Sequence, residues 1–378
     1  MTAAAEAVDP REAVSRAKDA LAWTGQPEAA WSIVLEAVLS APLSADRVRE
    51  RLVAASAAAP ALGPPAPVDA VADADLPRVR SAFADTPYAE GGPTVRAAIS
   101  GGDHAAVVLA AHHGALDGLG LIALLGWVLG APVTSSVRGV ISPPGEGWRP
   151  AAVARRLREA IFTPPARVHP PRRDRGVRGD RLVAATGPVM HGGTATLVGA
   201  AARGMRAWNQ AQGGPTRRPV VAVGVSRRSG AEPTLAHDAT WLRLHLDGAA
   251  DDAAVAAVLA RTPAERVGRA PALPRPLAAA ARLMAEQLGS SLLVSNLGVL
   301  SGPPELSSVA FFPKQYGRSA VALGAATVAG ATTLSLRVRA RDFGPDDAER
   351  LLTGLVAELP ADARGGGRGS AAELPIVS

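Results

Sequence analysis

The first half of the chain is organised around two apolar runs, Ala105 to Ala111 and Leu119 to Leu129, separated by a polar knot that reads His112, His113, Gly114, Ala115, Leu116, Asp117, Gly118. With Thr94 to Ile99 before it and Gly101, Gly102 and Asp103 at the turn, the first run predicts a hairpin whose return strand ends at the histidines. The second run is apolar on every side, which predicts a buried helix opened by Asp117 and Gly118. Upstream, Trp31 to Leu39 reads as a strand centred on Ile33, Val34 and Leu35. Ser44 reads as the N-cap of a helix through Ala58, with Val48 and Leu52 on its inner face. Arg11 to Ala22 is amphipathic, and Pro60 to Pro67 is a connector.

From Pro143 to Arg181 the pattern gives way to Pro, Gly and Arg, with one helical piece in which Val153, Leu157 and Ile161 recur every four residues. Periodicity then resumes. Thr194 or Thr196 caps a helix whose Leu197, Ala201, Met205 and Trp208 share a face. Strands are expected at Val220 to Val225, Trp241 to Leu246, Ser291 to Asn296, Ala320 to Thr327 and Thr332 to Val338. In the last of these Leu334, Leu336 and Val338 alternate with Ser335, Arg337 and Arg339, which predicts a sheet with one wet face. Acids open a closing helix from Asp346 to Leu359, where they suit its positive end, and a Gly-rich tail from Ala361 is expected to be mobile. The reading is an α/β protein in two halves: an N-terminal half over 1–165, a crossover over 166–185, a C-terminal half over 186–360 and a tail over 361–378.

Composition narrows the class. At 378 residues, two domains of ordinary size are the better expectation, and 48% apolar residues are enough to fill both. Cysteine is absent, which excludes disulfides, thiolate metal sites and a Cys nucleophile and fits a cytoplasmic location. Met1 to Ala22 carries Glu6, Asp9, Glu12 and Asp19 with no apolar core, so it does not read as a secretory signal. The longest apolar run, Leu119 to Leu129, is about half a membrane span. The net charge of +6 is concentrated between Arg149 and Arg181, where ten arginines face only Glu159, Asp174 and Asp180. Nucleic-acid binding would want aromatics among those cations, and only Phe162 lies there, so no nucleic acid is expected. Arg155, Arg156, Arg172 and Arg173 read as a solvated linker or as contacts for phosphates or an acidic protein face.

Adjacent side chains on a strand point to opposite faces, so only one of His112 and His113 can work in a given cleft. A neutral imidazole, with an ordinary pKa near 6.5, suits proton abstraction from a nucleophile at neutral pH. The same divergence of the two rings argues against a metal triad of His112, His113 and Asp117. Gly118, Gly120 and Ala123 spell GxGxxA, but six residues separate Gly118 from the strand and no acid follows about 20 residues on, against a dinucleotide site. No GxSxG elbow anchors a hydrolase triad.

The run His112, His113, three residues, Asp117, Gly118 resembles the HHxxxDG motif of the superfamily that includes chloramphenicol acetyltransferase, nonribosomal-peptide condensation domains, polyketide-associated and wax-ester acyltransferases and the plant BAHD enzymes. Trp31 to Leu62, ending in Ala59, Pro60, Ala61, Leu62, resembles the family's first strand and helix. Thr194 to Trp208 resembles a long helix of its second half, Arg218 to Arg227 the strand after it, and Ser295, Asn296, Leu297, Gly298 an SNxG turn. Arg341, Asp342, Phe343, Gly344 is followed by Pro345 and Asp346 and is treated as unrelated to the BAHD DFGWG box.

The resemblance implies two chloramphenicol-acetyltransferase-like halves with a central tunnel between them. It implies acyl transfer from a pantetheine thioester to a hydroxyl or amine of a small-molecule acceptor, with His113 as general base. Supporting roles fall to His112, Asp117 and Gly118, Asp117 both capping the helix and holding the loop. Ser295 and Asn296 are candidates for oxyanion or substrate contact, or form a turn. No cofactor is bound permanently; acyl-CoA or acyl-phosphopantetheine is a co-substrate, and an acyl or peptidyl carrier protein is a candidate partner. The alternatives are a stand-alone condensation enzyme joining carrier-bound partners, in antibiotic or other specialised metabolism, and a noncatalytic carrier-docking homologue.

Overall fold

The structure is a computed structural model that describes residues 30–102, 105–139, 158–159, 161–190, 193–217, 219–228, 232–247, 251–264, 289–314, 320–359 and 376–377. The amphipathic stretch Arg11 to Ala22, the repeat of Val153 and Leu157, and Arg155 and Arg156 lie outside these residues.

The apolar run Ala105 to Ala111 is buried on both faces, and that decides the architecture of the first half. Strand β1 (Ser32–Leu39) lies between β4 (Ala106–His112) and β10 (Leu306–Phe312), antiparallel to both. β3 (Val95–Ser100) pairs with β4, and β2 (Val68–Val71) closes the edge parallel to β3. Odd-numbered side chains of β4, Val107, Leu109 and Ala111, join a core built with helices α1 (Ala45–Ala58) and α3 (Gly118–Leu129). Even-numbered Ala106, Val108 and Ala110 join a separate core against α2 (Leu76–Asp85). The period of two thus sends successive residues into different layers. Ser44 stands at the N-cap position of α1 without a capping hydrogen bond, and Trp127 keeps 39% of its surface on a helix expected to be buried all round.

The second half is an eight-stranded sheet. Its path runs β13 (Ile376–Val377), β6 (Asp180–Pro188), β12 (Ala331–Arg339), β11 (Ala322–Val328), β9 (Leu292–Ser301), β7 (Val220–Ser226), β8 (Ala239–His245), with β5 (Thr134–Ser135) paired to β9. The β7–β9 and β9–β11 pairs are parallel. Helices α4 (Gly193–Ala211), α5 (Asp252–Arg261) and α6 (Pro345–Ala357) accompany this sheet, and its core holds Leu197, Ala201 and Met205 of α4. Because α4 starts at Gly193, Thr194 and Thr196 are inside the helix rather than caps. Strand β6 begins at Asp180, within the stretch read as crossover, and β10, from the sequence of the second half, completes the first sheet. In the expected tail, Ile376 and Val377 pair with Ala185 and Ala184. Among the described residues no helix is long and apolar enough to cross a membrane.

The expected wet face of β12 is not wet. Ser335, Arg337 and Arg339 are 0%, 2% and 7% exposed, because the first half covers them. Arg337 donates through Nη1 to the carbonyl of Ser32 (2.7 Å), through Nη2 to that of Ala84 (2.9 Å) and through Nε to Asp180 (2.7 Å). Ser335 donates to the carbonyl of Phe311. Lys314 completes a buried ion cluster on Asp180. Burial pushes the Asp180 carboxyl up, but Lys314 and Arg337 overcome it and hold it at about 2. Burial pushes Lys314 down in spite of Asp180, so the cluster is worth less than the carboxyl's shift alone suggests.

Removing Asp180 takes from two buried cations the carboxylate that bonds them both, with Asp85 left as the carboxyl acting on them. Asp180→Asn is expected to cost about 3–5 kcal/mol at pH 7 by urea unfolding. Because the folded carboxyl is depressed from 3.8 to about 2, its contribution is complete above pH 4 and fades as pH falls toward 2. The gap between wild type and variant should therefore narrow at pH 3, and a gap that is absent at pH 7 or unchanged at pH 3 contradicts this.

Candidate active site

The parity that splits β4 between two cores also separates its histidines. His112, even-numbered, is 4% exposed and turns toward the α2 layer, edge-on to Tyr88 with ring centroids 5.3 Å apart. Its Nδ1 accepts from the backbone N–H of Gly114 at 3.1 Å, which shapes the turn after the strand. His113 stands one residue beyond β4, anchored by its N–H to the Trp31 carbonyl (2.7 Å), and turns the other way. Its Nδ1 lies 3.2 Å from the Leu116 carbonyl. A carbonyl only accepts, so the neutral ring carries its proton on Nδ1 and leaves a lone pair on Nε2. Burial among protein atoms, then the neighbouring His237, lower the pKa of His113 to about 4, against weaker opposing effects of the Leu116 carbonyl and Asp117. Most of its surface is covered but the residue is not fully buried, so the ring is desolvated without being sealed off.

Asp117 is 2% exposed and both its oxygens are engaged. Oδ1 accepts from the N–H of Gly120 (2.7 Å), capping α3, and from Arg228 Nη2 (2.9 Å), while Oδ2 accepts from the N–H of Asp238 (2.8 Å). The same Arg228 Nη2 donates to the Ala236 carbonyl at 2.6 Å. The loop between β7 and β8 is therefore clasped onto the start of α3, and His237 in that loop meets His113 with ring centroids 5.0 Å apart at 78°. Trp31 makes a second edge-to-face contact with His113 at 5.5 Å. Arg228, His237 and Asp238 were not singled out from the sequence. The doubled arginine after an apolar strand and the buried acid of the motif were its only pointers to the pair.

Gly118 lies where a Cβ would meet Leu297 at 2.9 Å and Phe311 at 3.0 Å, so β9 and β10 press directly on the helix start. Ser295 and Asn296 are not at a turn: β9 continues through them to Ser301, with Gly298 absorbing a register shift at φ +70°. Asn296 has both ends of its amide engaged, donating to Thr194 Oγ1 (3.3 Å) and accepting from the N–H of Gly298 (2.9 Å), and Ser295 faces Gly224 of β7. Neither contacts His113 among the described interactions. Arg172 reaches the Ala340 carbonyl at 3.5 Å and is folded against the second half. Among the described residues no group of three His, Cys, Asp or Glu side chains is placed to hold a metal.

The clasp makes one glycine indispensable. A Cβ on Gly120 would stand 2.5 Å from the Ala236 carbonyl oxygen, a backbone atom that the Arg228 bond holds in place. Helix propensity alone would reward Gly120→Ala by about 1 kcal/mol, whereas the clash predicts a loss of about 1–3 kcal/mol. Gly354 of α6 has nothing within 4 Å of the same position, so Gly354→Ala should gain stability. Thermal unfolding of the two variants checks this, and equal gains would contradict it.

No family model matches the sequence, and no curated protein matches it. Solved structures do match the fold. The EpoB NRPS cyclization-docking bidomain from Sorangium cellulosum superposes with a TM-score of 0.56 at 12% identity, over 93% of this chain and 84% of that one. A mutant starter condensation domain of rhizomide synthetase, in complex with C8-CoA and Leu-SNAC, gives 0.55 at 13% identity over 92% and 94% of the two chains. The wax ester synthase/diacylglycerol acyltransferase from Marinobacter aquaeolei VT8 gives 0.54 at 14% over 92% and 98%. With two chloramphenicol-acetyltransferase-like halves, the chain shares the fold of these condensation, cyclization and acyltransferase structures.

Proposed function

We propose that the protein is an acyltransferase that moves an acyl group from a pantetheine thioester to a hydroxyl or amine of a small-molecule acceptor. The observation that carries the reading is the state of His113: a desolvated, neutral imidazole whose Nδ1 is turned to a carbonyl, leaving Nε2 as a base. Nε2 takes the proton as the acceptor's oxygen or nitrogen attacks the thioester carbonyl. The tetrahedral intermediate collapses with cleavage of the C–S bond, and the proton passes from the imidazolium to the departing thiolate. The ester or amide and the free thiol are the products, with no other reactant consumed. A low imidazolium pKa suits the second half of this cycle, since a weakly held proton is returned readily. The complexes of similar folds support the choice of donor: one was solved with C8-CoA and a leucine thioester analogue, and another is named as a wax ester synthase. Asp117 does no chemistry in this scheme. Both its oxygens are occupied, and it holds the loop on which His113 stands.

A mass-spectrometric screen of acyl-CoA and acyl-pantetheine thioesters against alcohols and amines should reveal turnover that His113→Ala lowers by about 100-fold or more without loss of thermal stability. Undiminished turnover in that variant removes the reading. Because protonation disables the base, kcat/KM should hold as pH falls to about 5 and drop through an acid limb near 4; a limb near 6.5 contradicts the state assigned to His113.

A further inference from the structure

The site contains an imidazole that the motif does not supply. His237 belongs to the second half, and its backbone neighbours are tied down on both sides. The Ala236 carbonyl accepts from Arg228, and the Asp238 N–H donates to Asp117. Gly120 opens the space into which this loop fits. The ring so delivered bonds to the backbone of His113 and stands edge to face against its ring, 5.0 Å between centroids, while its own Nδ1 is buried with no hydrogen-bond partner. The unpaired nitrogen is destabilising, so what this imidazole contributes lies in its contacts with His113.

We infer that His237 is a positioning residue for His113: the second half supplies an imidazole that clamps the ring of the base and fixes which of its nitrogens faces the substrate. Trp31 provides the other edge-to-face contact, so the ring of His113 is held by one residue from each half and by the Leu116 carbonyl. Asp117 is the charged group acting on His113 besides His237; Asp117, Arg227 and Arg228 are those acting on His237. Burial and the two arginines keep His237 itself neutral, its pKa lying below the ordinary value. The consequence is that the base is competent only when the β7–β8 loop is docked. This inference rests on the acyl-transfer reading only in naming His113 as the base.

The test needs no substrate. Histidine-selective nitrogen-15 labelling of the full chain gives seven imidazoles, and His113→Ala identifies the signal of His113. In the unaltered protein His113 should show the Nδ1-protonated tautomer and titrate near 4. In His237→Ala the tautomers should mix and the titration rise by about a unit or more toward 6.5 as water enters. His237→Phe keeps a ring against His113 and deletes both the unpaired nitrogen and the bond to the His113 backbone; it should preserve the tautomer. Where turnover is measured, His237→Ala should lower kcat about 10-fold with KM nearly unchanged, and Phe should restore most of it. An unchanged tautomer and titration in His237→Ala overturns the inference, as does a Phe variant that behaves like Ala. Undiminished turnover in His113→Ala alongside a shifted spectrum in His237→Ala would instead overturn the acyl-transfer reading and leave the clamp standing.

Discussion

The buried carboxylate of Asp117 is the constraint on which the site depends. An ionised group 2% exposed is tolerable only when its lone pairs are filled, and here a helix N–H, a guanidinium and the N–H of Asp238 fill them. Each donor comes from a place that matters. Gly120 belongs to the helix that follows the motif, and Arg228 and Asp238 flank the loop that carries His237. One carboxylate therefore fixes the end of a strand, the start of a helix and the approach of the opposite half.

The second meeting of the halves lies along β12. Its polar residues are consumed by the first half: Arg337 fills carbonyls of Ser32 and Ala84, and Ser32 begins the strand that anchors His113 through the neighbouring Trp31 carbonyl. The β10 strand adds a covalent crossover, since sequence from the second half completes the first sheet. A protein assembled in this way places His113 at a seam, so the relative placement of the halves sets its surroundings.

Much of this was legible from local pattern. The hairpin, the strand at Ile33 to Leu35 and the apolar helix after Asp117 follow from periodicity, and the divergence of His112 and His113 follows from strand geometry. What escaped were features set by tertiary cover. The alternation of Leu334, Leu336 and Val338 with Ser335, Arg337 and Arg339 has the same form whether the polar face meets water or another domain, and only partners 150 to 300 residues away distinguish the cases. Strand β10 carries Val309 and Phe311 two apart, with Leu306 out of step across a register shift, and nothing local says that it leaves its own half. His237 lies in a polar loop beside Asp238, where a histidine is unremarkable until the loop is seen docked on Asp117. Ser295 to Gly298 read as a turn by resemblance, whereas the positive φ of Gly298 serves a shift of register within β9.

The clasp between Asp117 and Arg228 can be measured directly by a double-mutant cycle on unfolding free energy, with Asp117→Asn, Arg228→Met and the pair. If the buried charge pair joins the halves as described, each single variant leaves a charge stranded and the double variant costs far less than their sum, a coupling of about 2 kcal/mol or more. Additive losses, within about 0.5 kcal/mol, would mean that the two side chains act independently and that His113 is held in place by something else.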